Sequence, residues 1–328
     1  MYQMMSLPLY SGTFQEYDSW RDLGQELERL GCDGIEGVWG GEDLPKDLPA
    51  ELILGYHLIF YPDWLDFYRD DRAALKQKFG SLEAVASFYG GLGPDTLLEQ
   101  YRADLRRAVN LGARYVVFHV SDVSLEEGYT YRWLPTNQEV IDAAVEVVNL
   151  ILGEERWPFE FLVENQWWPG FTFTEPEETA RLLEGIRFAG KGILLDTGHL
   201  MNACTELKTE AEGADYIRSM LNRHGSLAKW VRGVHLHQSL SGAYVKAHTG
   251  SLPAGLPEDY MERFGVSYQH ILQIDQHRPW TDPAILPVLE QIEPSYLTHE
   301  LSSRGRMARA EAVSIQTRLL RQGGRMRV

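Results

Sequence analysis

The sequence predicts an α/β protein built as a (β/α)₈ TIM barrel, a single domain over residues 1–328 with long loops after the third and seventh strands. Three observations predict it. Short β-rich runs alternate with amphipathic segments, the pattern of parallel βα units. There are eight such runs, the number that closes a barrel. The length of 328 residues suits one barrel with insertions.

In chain order the runs are MMSLPLY (4–10), DGIEGVW (33–39), LILGYHLIF (52–60), RYVVFHVS (114–121), FEFLVEN (159–165), GILLDTG (192–198), RGVHLHQ (232–238) and SYLTHEL (295–301). Between the third and fourth, Leu97, Leu98, Tyr101, Leu105, Ala108 and Val109 recur near a period of 3.6 before Gly112, which predicts a helix. The segments 137–153, 175–190 and 281–294 follow the same rule, with Pro176 and Pro283 where a first helical turn tolerates proline. The periodic part of segment 303–328, with Ala310, Val313, Ile315 and Leu319, predicts the last helix. Arg304, Arg306, Arg309, Arg318, Arg321, Arg325 and Arg327 form its solvated face, with Arg304 or Arg306 the alternative candidates for holding a phosphate near the last strand.

Residues 61–96 and 239–281 are far longer than ordinary βα connections. Both follow strand C-termini, where barrel enzymes build their sites, so they are expected to be walls or lids, with oligomer contacts as the alternative. GGLGP (90–94) lacks the spacing and the Lys-Ser/Thr ending of a nucleotide loop.

Composition narrows the function. With 44% hydrophobic and 24% charged residues and no long uncharged apolar run, the chain is expected to be globular, cytoplasmic and without a membrane span. Two cysteines, Cys32 and Cys204, make neither a disulfide framework nor a thiolate zinc site. A net charge of −16 opposes binding to nucleic acid. The expected partner is a small carbohydrate-like molecule, with a homo-oligomer allowed.

Six polar residues lie at the C-terminal ends of the apolar runs: His57, His119, Glu164, Asp196, His235 and Glu300. A buried ionised carboxylate is costly unless it is paired or bound to metal. Glu164, Asp196, His235 and Glu300 on parallel strands would give oxygen and nitrogen donors suited to a divalent metal such as Mn²⁺, Mg²⁺, Co²⁺ or Zn²⁺. Trp167 and Trp168, just beyond Glu164, would either cover a small ligand or pack one loop on its neighbour.

Glu164-Asn165, Asp196-Thr197-Gly198-His199 and His235-Leu236-His237, in this order at these strand ends, resemble the xylose isomerase-like barrel superfamily of sugar isomerases, sugar epimerases and endonuclease IV. The resemblance implies a shared metal site of Glu164, Asp196, His235 and Glu300, with Glu164 and Glu300 also the acid/base pair and His199 on the substrate. It further implies that His57, His119, Glu164, Asp196, His199, His235 and Glu300 match seven of the nine ligands that hold three zinc ions in endonuclease IV. The remaining Asp-x-His pair is Asp275 and His277, although they come late in their loop. His248, with Lys246 in place of the aspartate, lies nearer the expected spacing, and His277 could instead simply cap a loop.

The expected activity is therefore a divalent-metal-dependent isomerase or epimerase of a small sugar or sugar-like polyhydroxy compound, transferring a proton through a metal-stabilised enediolate with one to three ions bound. The alternative is an endonuclease IV-like di- or trinuclear zinc phosphoesterase. Acidic or aromatic loops, EEGYTYRW (126–133), NQWWPGFTF (165–173) and PDWLDFYRDD (62–71), oppose DNA as its substrate.

Overall fold

Each of the eight runs forms a strand in the computed structural model, which describes residues 1–323. They are β1 (Tyr2–Leu9), β2 (Gly34–Trp39), β3 (Ile53–His57), β4 (Tyr115–His119), β5 (Glu160–Glu164), β6 (Lys191–Asp196), β7 (Val231–His235) and β8 (Tyr296–His299). Neighbours pair in parallel in sequence order, and β1 pairs with β8 to close the barrel. Most strand positions are buried, because helices cover the sheet outside while side chains fill it inside.

Period two places Tyr115, Val117 and His119 on one face of β4, Leu162 and Glu164 on one face of β5, and Leu194 and Asp196 on one face of β6. The apolar members of these sets pack together with Met4, Leu54 and Tyr296 in one small buried cluster. Contact among side chains from non-adjacent strands requires that this face point into the barrel. His119, Glu164 and Asp196, nearer the C-terminal ends, therefore stand above a dry plug on the barrel axis.

The predicted outer helices form at Pro94–Asn110, Asn137–Leu152, Pro176–Gly185 and Arg306–Gln322. Thr136 and Glu139 make a reciprocal capping box at the second of these. The segment 281–294 splits into a 3₁₀ turn, Pro283–Ile285, and a short helix, Leu286–Ile292. The long connections are not irregular. Residues 61–96 hold helices Leu65–Tyr68, Arg72–Phe79 and Leu82–Tyr89, and residues 239–281 hold Gly242–His248 and Tyr260–Ile274.

The C-terminal arginines are not uniformly solvated, contrary to the expectation from the sequence. Arg309 is buried against Glu16 and Tyr17. Arg306 is held by Asp22 at 2.5 Å and Glu26 at 2.7 Å on the outside of the barrel, so its guanidinium is committed and the phosphate role fails for it. Arg304 is exposed and stands apart from the barrel mouth's cavity. Arg325 and Arg327 lie outside the described residues. Among the described residues no helix is long and apolar enough to cross a membrane.

The loops above the barrel are fixed to one another. Asp122 accepts hydrogen bonds from the backbone N–H of Trp64 and Leu65 at 2.7 and 2.8 Å, and the Trp64 indole donates to the Ser121 carbonyl at 2.6 Å. Gly170, at φ +131°, approaches the Val120 carbonyl so closely that an added Cβ would lie 2.2 Å from its oxygen. Only glycine tolerates both that backbone and that approach. The contact lets Phe171 donate to Val120 and Asp122 to Pro169, which pins Trp167 and Trp168 over the barrel mouth.

Candidate metal centre

The last residues of β3, β4, β5, β6 and β7 are His57, His119, Glu164, Asp196 and His235, and Glu300 follows β8 directly. Strand ends in a closed barrel converge on one axis, so five strands and a strand exit deliver six donors to one place. They fall into groups that share Glu164.

The first group is His57, His119 and Glu164. His57 donates Nδ1–H to the Leu58 carbonyl at 2.8 Å, which turns Nε2 inward. That Nε2 lies 3.0 Å from His119 Nε2, and the two lie 3.3 and 3.1 Å from Glu164 Oε2.

The second group is Glu164, Asp196, His235 and Glu300. His235 Nδ1 is 2.9 Å from Glu300 Oε2, 3.3 Å from Glu164 Oε1 and 3.7 Å from Asp196 Oδ2. Despite this proximity, Glu164 Oε1, His235 Nδ1 and Glu300 Oε2 are buried without a hydrogen-bond partner. Three converging buried atoms left unsatisfied are costly, and a cation between them removes that cost. The donors present therefore fit a divalent metal.

The third group is His199, His237, Asp275 and His277. Asp275 Oδ2 lies 2.6 Å from His277 Nε2 and 3.2 Å from His199 Nε2. The outer nitrogens are held from behind: His199 Nδ1 faces the Asn165 carbonyl at 3.0 Å, and His277 Nδ1 faces the Glu300 carbonyl at 3.1 Å. His248, the competing candidate, is exposed on helix Gly242–His248 and stacks on Tyr244. Placement favours the Asp275 and His277 pair, because only these two reach His199.

Two polar residues at the centre escaped the sequence reasoning. Glu36, fully buried in β2, lies 2.9 Å from His235 Nε2 and accepts from Tyr115 Oη at 2.6 Å. It fixes the tautomer that frees Nδ1. Its signal was a lone carboxylate inside an apolar run, hidden because it precedes the strand end. His237 lies 2.8 Å from Asp196 Oδ2 and stacks on His277, with Nδ1 buried and unpaired. As residue i+2 from His235 it shares that face, which the motif His235-Leu236-His237 already implied. Gly198 makes room for it, since a Cβ there would lie 2.0 Å from the His237 ring.

Replacing Glu36 with Gln keeps the shape and removes the charge behind His235. Metal affinity is expected to fall about 10- to 100-fold with the fold retained, measured by chelator competition. Unchanged affinity would show that Glu36 does not tune the ligand.

Five carboxylates (Glu36, Glu164, Asp196, Asp275, Glu300) and six imidazoles (His57, His119, His199, His235, His237, His277) share this centre. Burial acts to raise Glu164, yet His119 and His235 hold it well below the ordinary glutamate range. Glu300 is held down likewise by His235. Burial lowers His277, but Asp275 brings it up to about 10. For His119 burial wins and its basicity falls. The centre is an anionic trap, with His235 and His277 held in their charged form by the carboxylates beside them.

Above the donors lies a cavity of about 510 Å³, with His57, His119, His199, Asp275, His277 and Glu300 on its floor. Both long connections wall it, through Tyr61 and Phe88 from one, with Phe60 just before it, and Phe264, Ile271 and Leu272 from the other. Trp167 and Trp168 complete the wall, buried side by side at a ring separation of 4.2 Å, with Trp167 5.1 Å from the His199 ring. Lining a cavity and packing on a neighbour are thus both true of them.

Residues 25–302 match the family described as xylose isomerase-like TIM barrel. Solved structures with the same fold include a D-tagatose 3-epimerase-like protein, 15% identical with a TM-score of 0.51 over 99% of this chain and 98% of that one. Endonuclease IV from Thermus thermophilus is 16% identical with a TM-score of 0.50, covering 98% and 100% of the two chains. Mannonate dehydratase from Streptococcus suis serotype2 is 14% identical with a TM-score of 0.53, covering 99% and 94%. No curated protein matches the sequence.

Proposed function

The chain belongs to the xylose isomerase-like TIM-barrel family, and from that premise we propose that it is a divalent-metal-dependent isomerase or epimerase of a small sugar or sugar-like polyhydroxy compound. The observation that carries this is the convergence of Glu164 and Glu300 on His235 Nδ1, with oxygens of both carboxylates unsatisfied. Two carboxylates at one cation position can serve both as ligands and as an acid/base pair. That an epimerase-like protein and a dehydratase share the fold agrees with chemistry beside a carbonyl.

Glu164, Asp196, His235 and Glu300 would hold the metal. A bound Mn²⁺, Mg²⁺, Co²⁺ or Zn²⁺ would polarise adjacent carbonyl and hydroxyl oxygens and stabilise the negative charge of an enediolate. Glu164 takes the proton from the carbon next to the carbonyl, and Glu300 returns one from the other side. His57 and His119, at Glu164 Oε2, orient that carboxylate. His199, whose Nδ1–H donates to the Asn165 carbonyl and whose Nε2 faces Asp275, would hold a substrate oxygen or a second ion at the cavity floor. Trp167 and Trp168 exclude water from the exchanging proton.

One observation favours a second activity. The two oxygens of Glu164 face different donor groups, and Asp275 with His277 completes a third. Such an array suits polynuclear phosphoester hydrolysis of the endonuclease IV type. Against a nucleic-acid substrate, none of the described residues lining the cavity is Lys or Arg, and the chain carries a net charge of −16.

Incubating metal-supplemented protein with a panel of free ketoses and aldoses and of aryl ketoglycosides that keep a free carbonyl in D₂O separates these activities. Isomerase or epimerase chemistry predicts deuterium at a substrate carbon together with interconversion, read by NMR. No exchange across the panel, with cleavage of bis(4-nitrophenyl) phosphate instead, would replace the first activity by the second.

A further inference from the structure

The cavity wall is ill suited to a bare sugar. Each sugar hydroxyl that leaves water needs a partner, and one pressed on an apolar surface goes without. Several polar side chains on the wall are already engaged. Tyr61 donates to Gln100 at 2.7 Å, Ser124 to Glu127 at 2.6 Å, and His270 is shared between Tyr244 at 3.0 Å and the Gly128 carbonyl at 3.2 Å. Trp167 Nε1, Trp168 Nε1 and Ser267 Oγ are unpaired, so the wall offers a ligand a few scattered polar atoms, while the carboxylates and imidazoles are gathered on the floor.

Charge gives the same answer. With no Lys or Arg among the described lining residues and five carboxylates at or behind the floor, nothing in the wall offsets a phosphate placed away from the donors.

One apolar side chain is placed where a ligand would cover it. Phe60 is 47% exposed although its ring lies 4.4 Å from the His119 ring and 5.7 Å from the His57 ring. Phe88, Trp167, Trp168, Phe264 and Ile271 continue the surface away from it. A volume of about 510 Å³ falls within the range of pockets that enclose drug-sized molecules, roughly 300–1,000 Å³.

We propose that the substrate is bipartite, with vicinal chelating oxygens for the floor and an uncharged aromatic or similarly apolar body that packs on Phe60 and the aromatic wall. Bare and phosphorylated sugars are thereby disfavoured. The proposal rests on the metal-dependent activity above, and it adds what the rest of the substrate is.

Two hydroxamates share a chelating head and differ in the body, so they separate the two claims. Binding of benzohydroxamate and acetohydroxamate to Zn²⁺-loaded full-length protein is measured by calorimetry. The expected result is at least tenfold tighter binding of benzohydroxamate, with Phe60→Ala reducing that preference to below threefold while leaving acetohydroxamate unchanged. Phe60 is half exposed, so its truncation spares the core. Equal affinities for the two compounds would overturn the apolar body and leave the metal centre standing. Full preference retained in Phe60→Ala would overturn the place assigned to the body. Binding of neither compound to metal-loaded protein would overturn both the body and the chelating floor.

Discussion

Glu164→Gln is expected to lower turnover at least ~10³-fold while leaving the circular dichroism spectrum and the cooperative thermal transition in place. Glutamine matches the size of the residue at the end of β5, so packing on the barrel axis is preserved. What it loses is the charge. It can neither accept a proton from carbon nor supply an anionic oxygen on each side, where Oε2 faces His57 and His119 and Oε1 faces His235. Glu164 is fully buried, and His119 and His235 hold it ionised against that burial. A neutral amide there leaves the histidines facing one another without their counter-charge, so metal capacity falls together with turnover. A variant within tenfold of the parent rate would remove Glu164 from the chemistry.

How much of this could be read beforehand differs between the barrel and its mouth. The strands were legible because a sheet covered on both faces is written as apolar runs, and a charged residue at the end of such a run has few explanations. His57, His119, Glu164, Asp196 and His235 were found that way, and each ends its strand. The same rule hid Glu36, which lies in mid-strand and reaches His235 from the adjacent part of the barrel interior.

Long-range geometry was less legible. Asp275 and His277 are 76 and 78 positions beyond His199, after the helix Tyr260–Ile274, and spacing alone could not choose between them and His248. The fold chooses by carrying that helix back across the mouth, so that Asp275 lies 3.2 Å from His199. The helices inside the long connections were obscured for a related reason. Segments such as Leu82–Tyr89 are short and aromatic, and their helicity depends on packing against Tyr61, Phe79 and Tyr260 rather than on intrinsic propensity. The C-terminal arginines mislead a sequence reading because a charged side chain is exposed by default, whereas Glu16, Asp22 and Glu26 on the first outer layer bind Arg306 and Arg309.

The second large effect concerns the ion itself. Four candidate ligand carboxylates and Glu36 behind them, with unpaired atoms at the Glu164, His235 and Glu300 convergence, make the centre costly without a cation, so a bound metal would link to the fold. Chelation is expected to lower the thermal midpoint by several degrees and to abolish turnover, and restoring the ion should restore both. A ligand present at 100 times its Kd stabilises by about 2.7 kcal/mol, which is enough to see in a melting curve.

Elemental analysis of protein purified without added metal tests the central claim most directly. The prediction is at least one tightly held divalent ion per chain, with one Mn, Mg or Co supporting isomerase or epimerase chemistry and two or three Zn supporting the polynuclear hydrolase. Protein that holds no ion, and takes none up saturably from Mn²⁺, Co²⁺, Mg²⁺ or Zn²⁺, would contradict the metal centre outright.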